Sequence, residues 1–204
     1  MRTVTIMLQS ILGASLLTVS AAANAQAVIP AQITGQPLQY MREGVLTGCG
    51  LRIVAVVVND DLSTDASEVS VNFDDNGNAL FKAVAYAQFA PGKPAPRPIK
   101  VESAWARAPG SPATLAIGPS YAGDDKLSLL YPTDLASALA VLKAQLDGTP
   151  VQLSVQSTGQ PNYKILAGAV ALTAPEQAQL RTCVTELVGI MQRKLEAGAA
   201  SAPK

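Results

Sequence analysis

Few residues in this chain could do chemistry, and the absences decide more than the presences. The sequence holds no histidine and two cysteines. Without imidazole, neither Ser-His-Asp nor Cys-His nucleophilic catalysis can be assembled, and metal sites that use imidazole ligands are excluded. What remains is carboxylate chemistry. Glu102, Asp124, Asp125 and Asp134 could supply a general acid and base if folding brought two of them into one cleft with displaced pKa values. Against this, adjacent aspartates point apart on an extended chain. Asp60-Asp61 and Asp124-Asp125 both stand in loop contexts, where solvation or local backbone hydrogen bonding accounts for them.

Four short patterns imitate site motifs, and each lacks a part. Gly118-Pro119-Ser120-Tyr121-Ala122-Gly123 looks like a nucleophile elbow, but its second glycine comes one residue late and no strong strand feeds it, so it reads as a turn. The Ser-x-x-Lys spacing of Ser201 and Lys204 falls in the terminal tail. Gly48-Cys49-Gly50 could open a dinucleotide fingerprint, yet it precedes its strand and lacks the third glycine; it reads as a tight turn into the strand. Asn72-x-Asp74-x-Asn76-Gly77 mimics the first half of a calcium loop, but Ala83 stands where the bidentate carboxylate is needed. A hairpin turn is the better reading, because Asn-Gly suits a turn in which both central residues have positive φ. No cofactor is implied.

The cysteines gain meaning from the start of the chain. Arg2 and the apolar stretch from Val4 to Val19 precede two overlapping small-x-small sites, Ala23-Asn24-Ala25 and Ala25-Gln26-Ala27, the pattern of an export signal over residues 1–27. Cleavage after either site leaves a mature chain beginning at Gln26 or Val28, and the second is favoured. An uncleaved anchor is the alternative, but the segment is diluted with Ser, Thr, Gln and Ala, where a span needs about 20 strongly apolar residues. The expected address is periplasmic or secreted, with no membrane span after cleavage. There, two cysteines read as one disulfide, Cys49 to Cys183, worth at most roughly 5 kcal/mol by loop entropy. Two separate buried thiols are the alternative. A redox centre fits less well, since there is no Cys-x-x-Cys and Cys183 falls on the apolar stripe of a helix.

Removing Arg2 leaves one more acidic than basic residue, with no basic run and an aromatic content of 4%, so nothing attracts nucleic acid or stacks strongly on sugars or bases. The roughly 178 remaining residues suit one domain over 28–196, followed by a disordered Ala, Gly, Ser and Pro tail over 197–204.

The elements that must position these residues follow from hydrophobic period. Leu51 to Val58 is a nearly unbroken apolar run, the mark of a strand covered on both faces. Val69, Val71 and Phe73 alternate with polar residues up to the turn at Asp74 to Asn78, and Ala79 to Phe89 and Ile99 to Arg107 continue an antiparallel meander. In a meander the acidic loop Asn59 to Asp65 and the turn Asp74 to Asn78 lie at opposite ends. Trp105 and Tyr86 then sit on neighbouring strands, flanking a groove or packing across the pair. The proline-rich loop Pro91 to Pro98 is stiff enough to present Lys93 and Arg97 to a partner, although a solvated connector explains it too. After an irregular stretch over 108–123, with a short edge strand at Leu115 to Ile117, a strand at Leu127 to Tyr131 leads to a helix capped by Thr133 or Asp134. Leu135, Leu139, Leu142 and Leu146 recur along it, and Gly148 ends it. Val151, Leu153 and Val155 mark another strand, Tyr163 to about Leu172 the last one. Thr173 and Glu176 make a capping box for a final helix with Leu180, Cys183, Val184, Leu187, Ile190 and Met191 inward.

The stretch from Asp134-Leu135-Ala136-Ser137-Ala138-Leu139 through Leu146-Asp147-Gly148 to Val151-Gln152-Leu153-Ser154-Val155, then a hairpin and a terminal helix, is similar to the end of invasion-associated locus B proteins, small exported bacterial proteins. The likeness covers roughly a third of the chain and rests on helix-glycine-strand patterning, so it carries over no residue role or activity.

These observations predict an α+β domain in which a mainly antiparallel sheet is covered by two amphipathic helices. The expected function is a non-enzymatic binding or accessory role towards an envelope or extracellular protein, inhibition of an exported enzyme being one version. Its surface would be Lys93, Arg97 and Trp105, or an exposed sheet edge. The competing class is a histidine-free, carboxylate-dependent hydrolase or lyase.

Overall fold

The computed structural model describes residues 28–58, 64–89, 98–159 and 164–200. The export segment, Lys93, Arg97 and residues 201–204 lie outside the described residues. The described chain is mostly β-sheet with two helices and one disulfide, Cys49–Cys183.

The strands run β1 (Val28–Pro30), β2 (Gln32–Arg42), β3 (Val45–Val58), β4 (Thr64–Asp74), β5 (Ala79–Phe89), β6 (Pro98–Ile99), β7 (Val101–Arg107), β8 (Tyr121–Ala122) and β9 (Leu129–Thr133), followed by helix α1 (Leu135–Leu146). Then come β10 (Val151–Ser157), β11 (Lys164–Gly168), β12 (Val170–Ala171) and helix α2 (Ala174–Ala200). They form two sheets where one was expected. The larger has the order β12-β2-β3-β4-β5-β9-β8, with β6 also on β5, and the smaller has the order β1-β11-β10-β7. Three stretches pass directly from one sheet to the other, β1 into β2, β6 into β7 and β11 into β12, so both sheets wrap one core. The meander therefore ends with the short β6 on β5 and does not continue into β7. β7 leaves to pair with β10, placing Trp105 opposite Ser154 while Tyr86 stays on the larger sheet beside Pro98, so the two aromatics are not strand neighbours.

Strand β3 is sealed on one side only. Cys49, Leu51, Ile53 and Ala55 are fully buried, whereas Arg52, Val54 and Val56 on the opposite face are half-buried. The apolar run thus reflects β-branched preference on an open face as well as burial on the other. Val69, Val71 and Phe81 continue the buried face, and Leu153 of the smaller sheet, Leu142 of α1 and Leu187 of α2 complete the core. Phe81 stacks on Tyr131 at 5.0 Å between ring centroids, and the Tyr131 hydroxyl lies 2.5 Å from the Ala104 carbonyl oxygen and 2.8 Å from that of Thr114, tying β9 to β7.

The helices are not an equivalent pair. α2 lies along β2 and β3, joined to β3 through Cys183 and Cys49, whose Cα atoms are 5.9 Å apart, an ordinary span for the bond. α1 sits at the junction of the sheets, touching β4, β7, β10 and α2, which corrects the expected two-helix cover of one sheet. Its buried face is also rotated from the leucine stripe. Ser137, Ala138, Val141, Leu142, Ala144 and Gln145 are buried while Leu135, Leu139 and Leu146 are half-buried. Asp134 caps α1 by accepting from the Ser137 N–H, and Thr173 and Glu176 form the capping box of α2. α2 continues to Ala200, past Glu196, where the composition predicts its end.

Two hairpin turns differ from expectation. At Asp74 to Asn78 only Gly77 has positive φ, at 83°. The Asp74 carboxylate accepts from the N–H groups of Asn76 and Asn78 and from the Asn78 amide, a short turn closed by a left-handed glycine. The turn with two positive φ values is Glu43-Gly44, at 52° and 81°, between β2 and β3. Strand β2 itself had no strand signal, since Gly35 and Pro37 interrupt it.

Candidate functional site

The residues singled out for catalysis do not converge. Asp134 is the α1 cap, and hydrogen bonds from the Ser137 backbone and hydroxyl hold its carboxyl below the usual range. Asp125 closes the turn before β9, and the Ser128 and Leu127 backbone N–H groups lower its pKa in the same way. Glu102 is exposed on β7 beside a shallow hollow with Lys100, Tyr121 and Lys126, without any of the other three. Each lowered carboxyl is one whose anion is already used structurally. Among the described residues no group of three or more Cys, Asp or Glu could hold a metal ion. The calcium-like stretch is the β4–β5 turn, with Asp74 spent on its own loop.

Trp105 lies half-buried on the outer face of the smaller sheet, with the Arg107 guanidinium 5.2 Å from its ring centroid. Arg107 Nε donates to Gln152 Oε1 at 2.7 Å, and the Ser103 hydroxyl donates to Gln156 Oε1 at 3.0 Å. The polar groups around the indole are thus bonded to one another across the β7–β10 pair. Neither Lys93 nor Arg97 can be related to this surface, as both lie outside the described residues.

A different surface presents itself on the open face of the larger sheet. Between the Glu43-Gly44 turn and the Asp74–Asn78 turn runs a groove of about 1040 Å³. Its floor is β3 at Gly48 and its sides are Tyr40, Thr47, Asn72, Leu80 and Pro132. Arg42, Glu43, Asp74 and Lys194 stand at the rim. Strand alternation builds it. Residues 48, 50 and 52 of β3 point outward, and cross-strand register sets Tyr40 beside Gly48 and Asn72 beside Gly50.

Gly48 and Gly50 are glycines because of what crosses over them. A Cβ on Gly50 would collide with the Asn72 side chain and stand 2.6 Å from the Val71 carbonyl oxygen; one on Gly48 would come 3.1 Å from the Tyr40 ring. The Gly-Cys-Gly stretch is therefore mid-strand, where it makes room for neighbouring side chains, and not a turn into the strand. Over this floor the Tyr40 hydroxyl donates to Asn72 Oδ1 at 3.1 Å, and partial burial raises the Tyr40 pKa.

The groove edge is apolar and open. Of the residues that line it, Tyr40, Val45 and Leu80 are exposed by 46%, 59% and 40%, more exposed apolar surface in one place than scattered surface hydrophobics require. Lys194 reaches from α2 to the rim, 2.5 Å from Asp75 and 3.1 Å from the Asn76 amide oxygen. Burial works to raise the Asp74 pKa, but its hydrogen bonds from Asn78 and Asn76 and the Lys194 charge bring it below the usual range. Further along the same face Glu68 binds Arg52 at 2.5 Å and accepts from the Tyr86 hydroxyl at 3.2 Å, a closed polar cluster.

Sequence reasoning missed this surface because one wall, Tyr40 and Arg42, comes from the unassigned strand β2. The signal available was the period-two spacing of Gly48 and Gly50 around a buried cysteine, which marks one face of a strand crossed by bulky neighbours. No helix among the described residues is long and apolar enough to cross a membrane. Comparison with protein-family models, with curated proteins and with solved structures finds no match to this chain.

Proposed function

We propose that this chain is an exported envelope protein that binds a protein partner and that the partner docks in the groove between the two hairpin turns. The observation that carries the reading is the set of exposed apolar side chains, Tyr40, Val45 and Leu80, that line the groove over Gly48. Apolar side chains flanked by Arg42, Glu43 and Lys194 resemble the centre and rim of a protein interface, where buried apolar contacts supply affinity and charged edges orient the partner. An oxidising address accounts for the disulfide and for the leader-like start of the sequence.

Affinity capture from the native envelope with the mature protein as bait tests the reading. One stoichiometric partner, retained by wild type and lost on Val45→Asp or Leu80→Asp with unchanged thermal stability, is the expected result. Equal retention by both variants overturns the groove assignment. A small molecule carried through purification, with no protein, overturns the partner class.

A further inference from the structure

Asn76 and Gly77 form the tip of the β4–β5 hairpin, and the docking reading gives them no role. We propose that this pair is a latent site of covalent self-modification, which Asp74 and Lys194 hold closed while the end of α2 is docked. The backbone nitrogen of Gly77 is the nucleophile and the Asn76 side-chain carbonyl carbon its target. The Gly77 nitrogen gives up its proton, a bond forms between that nitrogen and Cγ, and the bond from Cγ to Nδ2 breaks, Nδ2 leaving as ammonia with the proton. Water then opens the cyclic imide at one of its two carbonyls, giving an aspartyl or an isoaspartyl residue with no oxidation or reduction. Glycine favours the attack because no Cβ obstructs the nitrogen, and Asn76 is exposed to water and base.

Three contacts oppose it. The Gly77 N–H donates to the Asp74 carbonyl oxygen at 3.1 Å, which occupies the nucleophile. The Asn76 N–H donates to Asp74 Oδ1 at 2.9 Å, and Asn76 Oδ1 accepts from Lys194 Nζ at 3.1 Å, which together fix the backbone and side chain that must rotate towards each other. Lys194 is also anchored on Asp75, and it belongs to the helix tied to β3 by the disulfide. The lock therefore depends on tertiary docking and not on the turn alone. Losing one such hydrogen bond raises the open fraction about fivefold. The aspartyl product adds a negative charge beside Asp74 and Asp75 at the groove rim; the isoaspartyl product also inserts a methylene into the main chain.

Peptide mapping by mass spectrometry of the full chain held at mildly alkaline pH tests this independently of any partner. We expect slow conversion at Asn76 in the folded protein and much faster conversion in the reduced, denatured chain. Lys194→Met should convert about fivefold faster than wild type, while Lys143→Met, which removes the Asp147 ion pair on α1, should match wild type. Conversion of the folded wild type at the denatured rate overturns the lock, as does a Lys194→Met rate equal to wild type. If Lys143→Met accelerates conversion equally, general loosening and not the Lys194 contact is responsible, and the proposal fails.

Discussion

The two faces of the larger sheet are built from the same strands and behave differently. On one, Cys49, Leu51, Ile53, Val71 and Phe81 are sealed by the smaller sheet and the helices. On the other, Gly48 and Gly50 are covered only by the side chains of Tyr40 and Asn72, Arg52 and Val54 stay half-buried, and the polar groups there bond mainly to each other. The contrast separates the core from the surface by one residue of register. Side chains that hold the fold together point one way, and their immediate neighbours are released for a surface.

The largest expected break in this contrast is at the disulfide. Replacing both cysteines by alanine removes the tie between α2 and the sealed face and should cost about 2–5 kcal/mol in denaturant unfolding, the range for removing a native bridge from a small domain. An unchanged midpoint would mean that Leu180 and Leu187 alone hold α2. The adjacent pair Ile53 and Val54 sharpens the comparison. Ile53→Ala should cost about 2–5 kcal/mol because it opens a cavity in the core. Val54→Ala, on the half-buried face, should cost less than about 1 kcal/mol. Equal losses would show that the open face is covered. The smallest chemical change tests an exception to the rule. Gly50→Ala lies on the open face yet would press on Asn72 and the Val71 carbonyl, so about 1–3 kcal/mol of destabilisation is expected from overpacking. A neutral result would show that Asn72 swings aside freely.

Much of the sealed face was legible in the sequence. The period of Val69, Val71 and Phe73, the capping box at Thr173 and Glu176 and the pairing of the only two cysteines follow from local chemistry, and each stands where that chemistry puts it; of the two cap candidates Thr133 and Asp134, the structure uses Asp134. The open face was not. Gly35 and Pro37 disguise β2 as a loop, and a lone glycine pair looks like a turn until a neighbouring strand lays Tyr40 and Asn72 across it. Trp105 was assigned to the wrong neighbour because a strand pattern does not say which sheet the strand joins.

By itself, the sequence determined both helices and most of the strands other than β2, which chemistries lack their residues and which two sulfurs can join, because these depend on residue type and short-range spacing. Only the tertiary structure decided that the chain folds into two sheets, that α1 wedges between them and that a groove opens beside Gly48. Those outcomes come from pairings between distant strands, and side chains far apart in sequence meet there only once the strands are in register.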